Sequence, residues 1–262
     1  MDNQINKYKY KNIFYETSLG RLFLGDSEKI LKSDLFNEMR GKVQLILTSP
    51  PFPLNNKKKY GNHQGEEYKR WFISLAEIFS DLLAPDGSIV IEIGNAWEPK
   101  RPVQSLLNLE ALIGFVKNPK ANLILCQQFI CYNPARLPTP AEWVTVNRIR
   151  ATDSFTHIWW MAKSDYPKAD NRKVLRPYSK SMKKLLKKKK YNAGIRPSEH
   201  YIGRESFLKD NNGSIMPNVL ELEPYFKEEK LRLPENVLKI ANTNSNDFFL
   251  RKCKERGIQP HP

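Results

Sequence analysis

Apolar and polar positions along this chain follow two periods. Arg21-Leu22-Phe23-Leu24 is a short apolar run that predicts a strand. It hands over through Gly25-Asp26-Ser27 to a capped helix opening at Glu28-Lys29-Ile30-Leu31. Val43-Gln44-Leu45-Ile46-Leu47 reads as a buried strand. From Glu66 onward the period changes. Tyr68, Trp71, Phe72, Leu75, Ile78, Phe79, Leu82 and Leu83 recur at three- and four-residue steps, one apolar stripe on a helix. Ala84-Pro85-Asp86-Gly87 predicts a turn and Ser88–Gly94 a strand. A second helix fits Ser105 to Val116, and further strands fit Leu123 to Tyr132 and Phe155 to Met161. Such alternation predicts an α/β sheet of βαβ units. Asp26, Ser49, Gly94 and Tyr132 would then gather along one edge, where open α/β sheets bind their ligands.

After Ser164 the periodicity fades into a basic, loop-rich region with Pro167, Pro177, Pro197, Gly203, Asn211-Asn212-Gly213 and Pro217. Seven of the eleven residues from Lys180 to Lys190 are lysine. A solvated basic helix and a phosphate-tracking face both fit that run. The overall charge favours the second: 43 Lys plus Arg against 28 Asp plus Glu give +15 and a pI near 9.6. A polyanionic partner follows, with nucleic acid ahead of an anionic membrane surface. No apolar run approaches the ~20 residues of a membrane span. The N-terminus has neither a basic n-region nor an apolar h-region, which points to the cytoplasm. Cys126, Cys131 and Cys253 form no C-x-x-C spacing, and the four histidines, His63, His157, His200 and His261, are scattered, so neither a disulfide framework nor a metal site is expected.

Candidate chemistry concentrates where the second strand ends, at Thr48-Ser49-Pro50-Pro51-Phe52. Two prolines fix φ twice, remove two N–H donors and hold each preceding residue extended. The result is a stiff loop with bare carbonyls, a hydroxyl at Ser49 and a ring at Phe52. Acceptors beside an aromatic face suit a flat, amine-bearing ring. A loop that merely ends a core strand, with Phe52 inside, is the other reading. The segment Asn55 to Asn62, with Lys57, Lys58 and Lys59, follows as a polar loop whose lysines suit phosphate contacts. Tyr132 and Asn133 open a second proline-stiffened loop facing the same crevice, or else a plain turn.

Together these segments resemble a known family. Ser49-Pro50-Pro51-Phe52 matches the Ser-Pro-Pro-aromatic motif of cytosine-N4 DNA methyltransferases of bacterial type II restriction–modification systems, PvuII-type in particular. The likeness extends over Gly25-Asp26-Ser27, Lys58–Asn62, Pro85–Ser88, Asn133-Pro134 with Leu137-Pro138, and Glu142-Trp143-Val144. It continues through Pro177-Tyr178-Ser179, Met182-Lys183-Lys184, Arg196-Pro197-Ser198, Asp210-Asn211 and Gly213-Ser214-Ile215. The resemblance implies a Rossmann-like S-adenosylmethionine-dependent methyltransferase sheet with a basic, loop-rich target-recognition region. It implies a flipped cytosine in double-stranded DNA, stacked on Phe52, with Ser49 and the Pro50 carbonyl accepting from its exocyclic amine. Direct attack of that nitrogen on the methyl of S-adenosyl-L-methionine needs no cysteine nucleophile, and Cys126 reads as a core thiol. Adenine N6 is the alternative acceptor.

One departure limits the match. The family's cofactor motif, an Asp followed by Phe-x-Gly-Ser or Phe-Gly-Gly, is not found after the recognition region, and no G-x-G occurs among the 12 glycines. His261-Pro262 would open the motif that leads into the cofactor strand, so the sheet is expected to be incomplete at the C-terminus. The cofactor contacts assigned by resemblance are therefore Asp26, His261 and Pro262. The expected organisation is a catalytic subdomain over 10–165, target recognition over 166–250 and the start of a cofactor segment over 251–262. Lys183, Lys184, Lys187 and Lys188 join Lys57, Lys58, Lys59, Tyr132 and Asn133 as the DNA-contacting set. An inactive DNA-binding fragment, or one subunit of a split methylase awaiting a second polypeptide, belongs among the expectations.

Overall fold

The computed structural model describes residues 13–53, 61–195, 197–221, 252 and 255–257. The chain divides into two units, Met1–Pro224 and Tyr225–Pro262. In the second, the described residues hold an ion pair between Lys252 and Glu255 at 2.6 Å.

A hairpin of β1 (Ile13–Glu16) and β2 (Arg21–Phe23) opens the first unit and leads into α1 (Ser27–Lys32). The central sheet has five strands in the order β3-β4-β6-β5-β9. These are β3 (Val43–Thr48), β4 (Leu83–Ile93), β5 (Ile124–Tyr132), β6 (Phe155–Ala162) and β9 (Val219–Glu221). β3 and β4 are parallel and joined by α2 (Gly65–Leu82), one βαβ unit. β6 lies antiparallel between β4 and β5, and β9 runs parallel to β5. The sheet is therefore mixed and not built of βαβ units throughout. β3, β4, β5 and β9 nevertheless share one direction, so Ser49, Gly94 and Tyr132 leave the same edge. Asp26 does not, because β2 pairs with β1 in a separate hairpin.

The core lies between α2, α3 (Leu107–Val116) and one face of the sheet. Tyr68, Phe72, Leu75, Phe79 and Leu82 from α2 meet Ala111, Leu112 and Phe115 from α3. Ile89, Ile91, Ile93, Trp159 and Met161 come up from the strands. The helices cross closely at Gly114, where a Cβ would stand 2.3 Å from Cδ1 of Ile73. The predicted Ala84–Gly87 turn is a bulge inside β4: Val43 faces Leu83, and Leu45 already faces Ser88. Gly87 permits it, since a Cβ there would lie 2.7 Å from the Val43 carbonyl oxygen.

The reading of Val43–Leu47 as a buried strand needs correction. Leu45 and Leu47 are 55% and 70% exposed. Side chains alternate across a strand: Ile46 and Thr48, opposite Ile89 and Ile91, share the face where the helices pack, and Val43 also reaches the core at the strand's start. Among the described residues β3 also has a neighbour on one side alone.

Candidate active site

The Ser-Pro-Pro-Phe loop leaves β3 immediately after Thr48, which pairs with Ile91 of β4. Ser49 and Pro51 are exposed, Pro50 and Phe52 half-buried, and Pro53 buried. The loop is thus pinned at its far end by Pro53 and held off water by one ring. That ring lies against Gly94 at the exit of β4, where a Cβ would stand 2.5 Å from Cδ2 and 2.7 Å from Cε2 of Phe52. Phe52 also packs on the edge of the core. The two readings of Phe52 are therefore compatible: part of the side chain is core and part stays accessible beside the exposed Ser49. Fixed carbonyls and a hydroxyl on a stiff loop are acceptors that need no reorganisation to meet an amine.

Around Gly94 lies a polar cluster that sequence reading does not find. His157 of β6 is 8% exposed, between Phe155 and Trp159 with ring centroids at 5.2 and 5.7 Å. Its Nε2–H donates to Asn95 Oδ1 at 2.9 Å, and Gln128 of β5 donates to its Nδ1 at 2.7 Å. Asn95 in turn donates to Asp153 at 2.8 Å and accepts from Gln104 at 3.1 Å. Burial holds the imidazole pKa below its usual value, Asp153 opposing, so the ring is neutral with its proton on Nε2. These partners lie 29 to 62 residues apart in the chain, beyond the reach of any local spacing signal.

The loop after β5 leaves the sheet at the same edge as the Ser-Pro-Pro-Phe loop. Tyr132 is 37% exposed and Asn133 half-buried. Asn133 N–H donates to the Ser154 carbonyl at 2.8 Å, and its Oδ1 accepts from Ala135 N–H at 3.0 Å. Arg136 reaches back to the Phe155 carbonyl at 3.2 Å. The loop is thereby tied to the start of β6. Cys126 and Cys131 are half-buried thiols whose pKa values are raised, first by burial, so neither is poised as a thiolate.

Asp26 is the N-cap of α1 and accepts from Glu28 N–H at 3.0 Å and Lys29 N–H at 3.3 Å. The Lys29 N–H and ammonium hold its pKa low. Trp71 Nε1–H on α2 donates to Glu28 Oε1 at 2.5 Å and fixes α1 beside α2. The capping role read from the Gly-Asp-Ser turn is the one observed. His261 and Pro262, the other two assigned cofactor contacts, lie outside the described residues, as do Lys57, Lys58 and Lys59.

The lysine run forms α4 (Lys180–Lys188), in the chain between β6 and β9. Ser179 caps it by accepting from Met182 N–H at 3.2 Å. Lys183, Lys184, Lys187 and Lys188 are all exposed, while Met182, Leu185 and Leu186 are half-buried. The surrounding region is held by small contacts: β7 (Gly194–Ile195) with β8 (Tyr201–Ile202), Tyr191 against Phe207 at 5.3 Å, and Asn211 N–H on the Tyr178 hydroxyl at 2.8 Å.

Comparison with known proteins agrees with this arrangement. The type II methyltransferase M.PvuII of Proteus hauseri is 40% identical over 250 residues, 95% of this chain and 67% of that protein. The solved PvuII DNA methyltransferase (cytosine-N4-specific) superposes with a TM-score of 0.62 and 31% identity, covering 96% of this chain and 68% of that one. The DNA methylase family model matches residues 43–254, from the start of β3 onward. The Ser-Pro-Pro-Phe loop, the sheet beneath it and these matches together place the chain in the DNA methylase family.

Proposed function

We propose that the chain carries the target-base half of a cytosine-N4 DNA methyltransferase of a restriction–modification system. The single observation behind this is the Ser49–Phe52 loop, rigid at the C-terminal end of a parallel strand with Ser49 exposed and the Phe52 ring seated on Gly94. S-adenosyl-L-methionine supplies the methyl group in this family. The chain's own residues act on the acceptor. Cytosine N4 is a weak nucleophile because its lone pair is delocalised into the ring. Hydrogen bonds from the amine to Ser49 Oγ and the Pro50 carbonyl favour a tetrahedral nitrogen, freeing that lone pair. Phe52 stacks on the extruded base, and holding the amine in line contributes most of the acceleration. Tyr132 and Asn133 close the opposite wall, and the lysines of α4 track phosphates.

DNA methylated by the active enzyme, digested to nucleosides, should yield N4-methylcytosine, and Ser49→Ala should lower turnover by about a hundredfold or more. N6-methyladenine as the product would replace this reading by the adenine alternative. Unchanged turnover in the Ser49 variant would remove the role assigned to it.

The partner proposal rests on β3. Among the described residues β3 is an edge strand with Leu45 and Leu47 exposed on the face away from the helices, and M.PvuII has about a third of its length unmatched by this chain. An exposed apolar edge strand invites pairing. The occupant is a polypeptide segment equivalent to that unmatched third, bringing the cofactor motif beside the Ser-Pro-Pro-Phe loop.

A further inference from the structure

Gln128, His157, Asn95 and Asp153 form a directed chain of hydrogen bonds. Gln128 Nε2 donates to His157 Nδ1, His157 Nε2–H to Asn95 Oδ1, and Asn95 Nδ2 to Asp153 Oδ1. Every donor points the same way and the series ends on a carboxylate, so one tautomer and one set of amide orientations satisfies all members. The chain spans four pieces of structure: the middle of β5, the start of β6, the exit of β4 and the segment before β6.

Its last two members, Asn95 and Asp153, each adjoin one of two loops. Asn95 follows Gly94, on which the Phe52 ring rests. Asp153 N–H donates to the Thr139 carbonyl at 3.0 Å, and the next residue, Ser154, accepts from Asn133 N–H. The cluster thus links the Ser-Pro-Pro-Phe loop to the Tyr132–Pro140 loop, with Phe155 and Trp159 flanking His157.

We propose that Gln128, His157, Asn95 and Asp153 are positioning residues that hold these two loops at a fixed separation across the target base. None of the four needs to touch the base. The inference rests on the proposed function for its catalytic consequence and on geometry alone for the placement of Phe52. Misplacement of a reacting group by about an ångström costs on the order of a hundredfold in rate, so loss of one link has a measurable effect without unfolding the sheet.

The test places 4-fluorophenylalanine at position 52 alone and follows its ¹⁹F resonance, with turnover measured beside it in the active methylase. Asp153→Ala removes the terminal acceptor. The ring resonance should shift or broaden, and kcat should fall about tenfold or more with KM for DNA within about twofold of the parent. Asp153→Asn retains an acceptor for Asn95 Nδ2 and should restore both readouts. Thr156→Val removes a different bond, Thr156 Oγ1 to Glu92 at 2.8 Å; it should lower the unfolding temperature without moving the resonance. A parent-like resonance and kcat in Asp153→Ala would overturn the proposal. So would equal losses in Asp153→Ala and Asp153→Asn, or a Thr156→Val resonance displaced as far as that of Asp153→Ala. If the parent produces no N4-methylcytosine, the proposed function fails while the ring resonance still decides the positioning role.

Discussion

Gly94 has no room for a side chain because the ring of Phe52 occupies the space a Cβ would take. Gly94→Ala should push the ring away and destabilise the fold by about 1–3 kcal/mol, the usual cost of overpacking. Thermal unfolding reads the stability loss and turnover the displaced ring. His157 makes a different prediction. Its folded-state pKa lies below the ordinary 6.5, from burial first and against the pull of Asp153. On acidification the unfolded chain therefore takes up the proton before the folded one. The stability tied to this residue is complete above about pH 6.5 and declines as pH falls toward and through the folded value. Urea midpoints measured from about pH 8 to 5 should fall on the acid side, and His157→Gln should flatten that slope. At this scale the sequence was partly legible. Ser49, Pro50 and Pro51 announce themselves because consecutive prolines constrain the backbone wherever they stand. Asn95 and His157 do not, since an Asn and a His 62 residues apart carry no sign that they meet.

Elements were read most securely where the periodic pattern was long. The apolar stripe of α2 predicted its buried face almost residue for residue, because a helix of 18 residues repeats its signal over several turns. β4 was harder, as its turn-like Pro-Asp-Gly is absorbed as a bulge once β3 pairs on both sides of it. For α4, the pattern did not separate a solvated helix from a phosphate-binding one. The helix has lysine in its first turn, against the macrodipole, and leans on Ser179 and three half-buried apolar residues. Ser179→Ala should cost about 1 kcal/mol of local stability, visible as faster amide exchange in this helix. Replacing Lys183, Lys184, Lys187 and Lys188 by Gln should reduce the slope of log affinity against log salt by about 3–4, since each phosphate contact contributes about 0.9. An unchanged slope would detach α4 from the DNA.

At the scale of the whole molecule, the sheet has helices on one face and an open edge at β3 among the described residues. Leu45→Lys with Leu47→Lys should change the stability of the isolated chain by less than about 1 kcal/mol, because both side chains are already in water. The same pair should abolish association with a polypeptide carrying the unmatched third of M.PvuII, measured by sedimentation. Among the described residues no helix is long and apolar enough to cross a membrane. What the sequence determined by itself was local and periodic: the strands and helices, the charge, and a proline-stiffened motif whose chemistry is written in consecutive residues. The tertiary structure decided what depends on pairing. A strand's alternation is the same whether its second face meets a helix or water, so the exposure of Leu45 and Leu47 followed only from the sheet's neighbours. Strand direction is likewise silent in the chain, and antiparallel β6 alone brought His157 to Asn95 beneath the Ser-Pro-Pro-Phe loop.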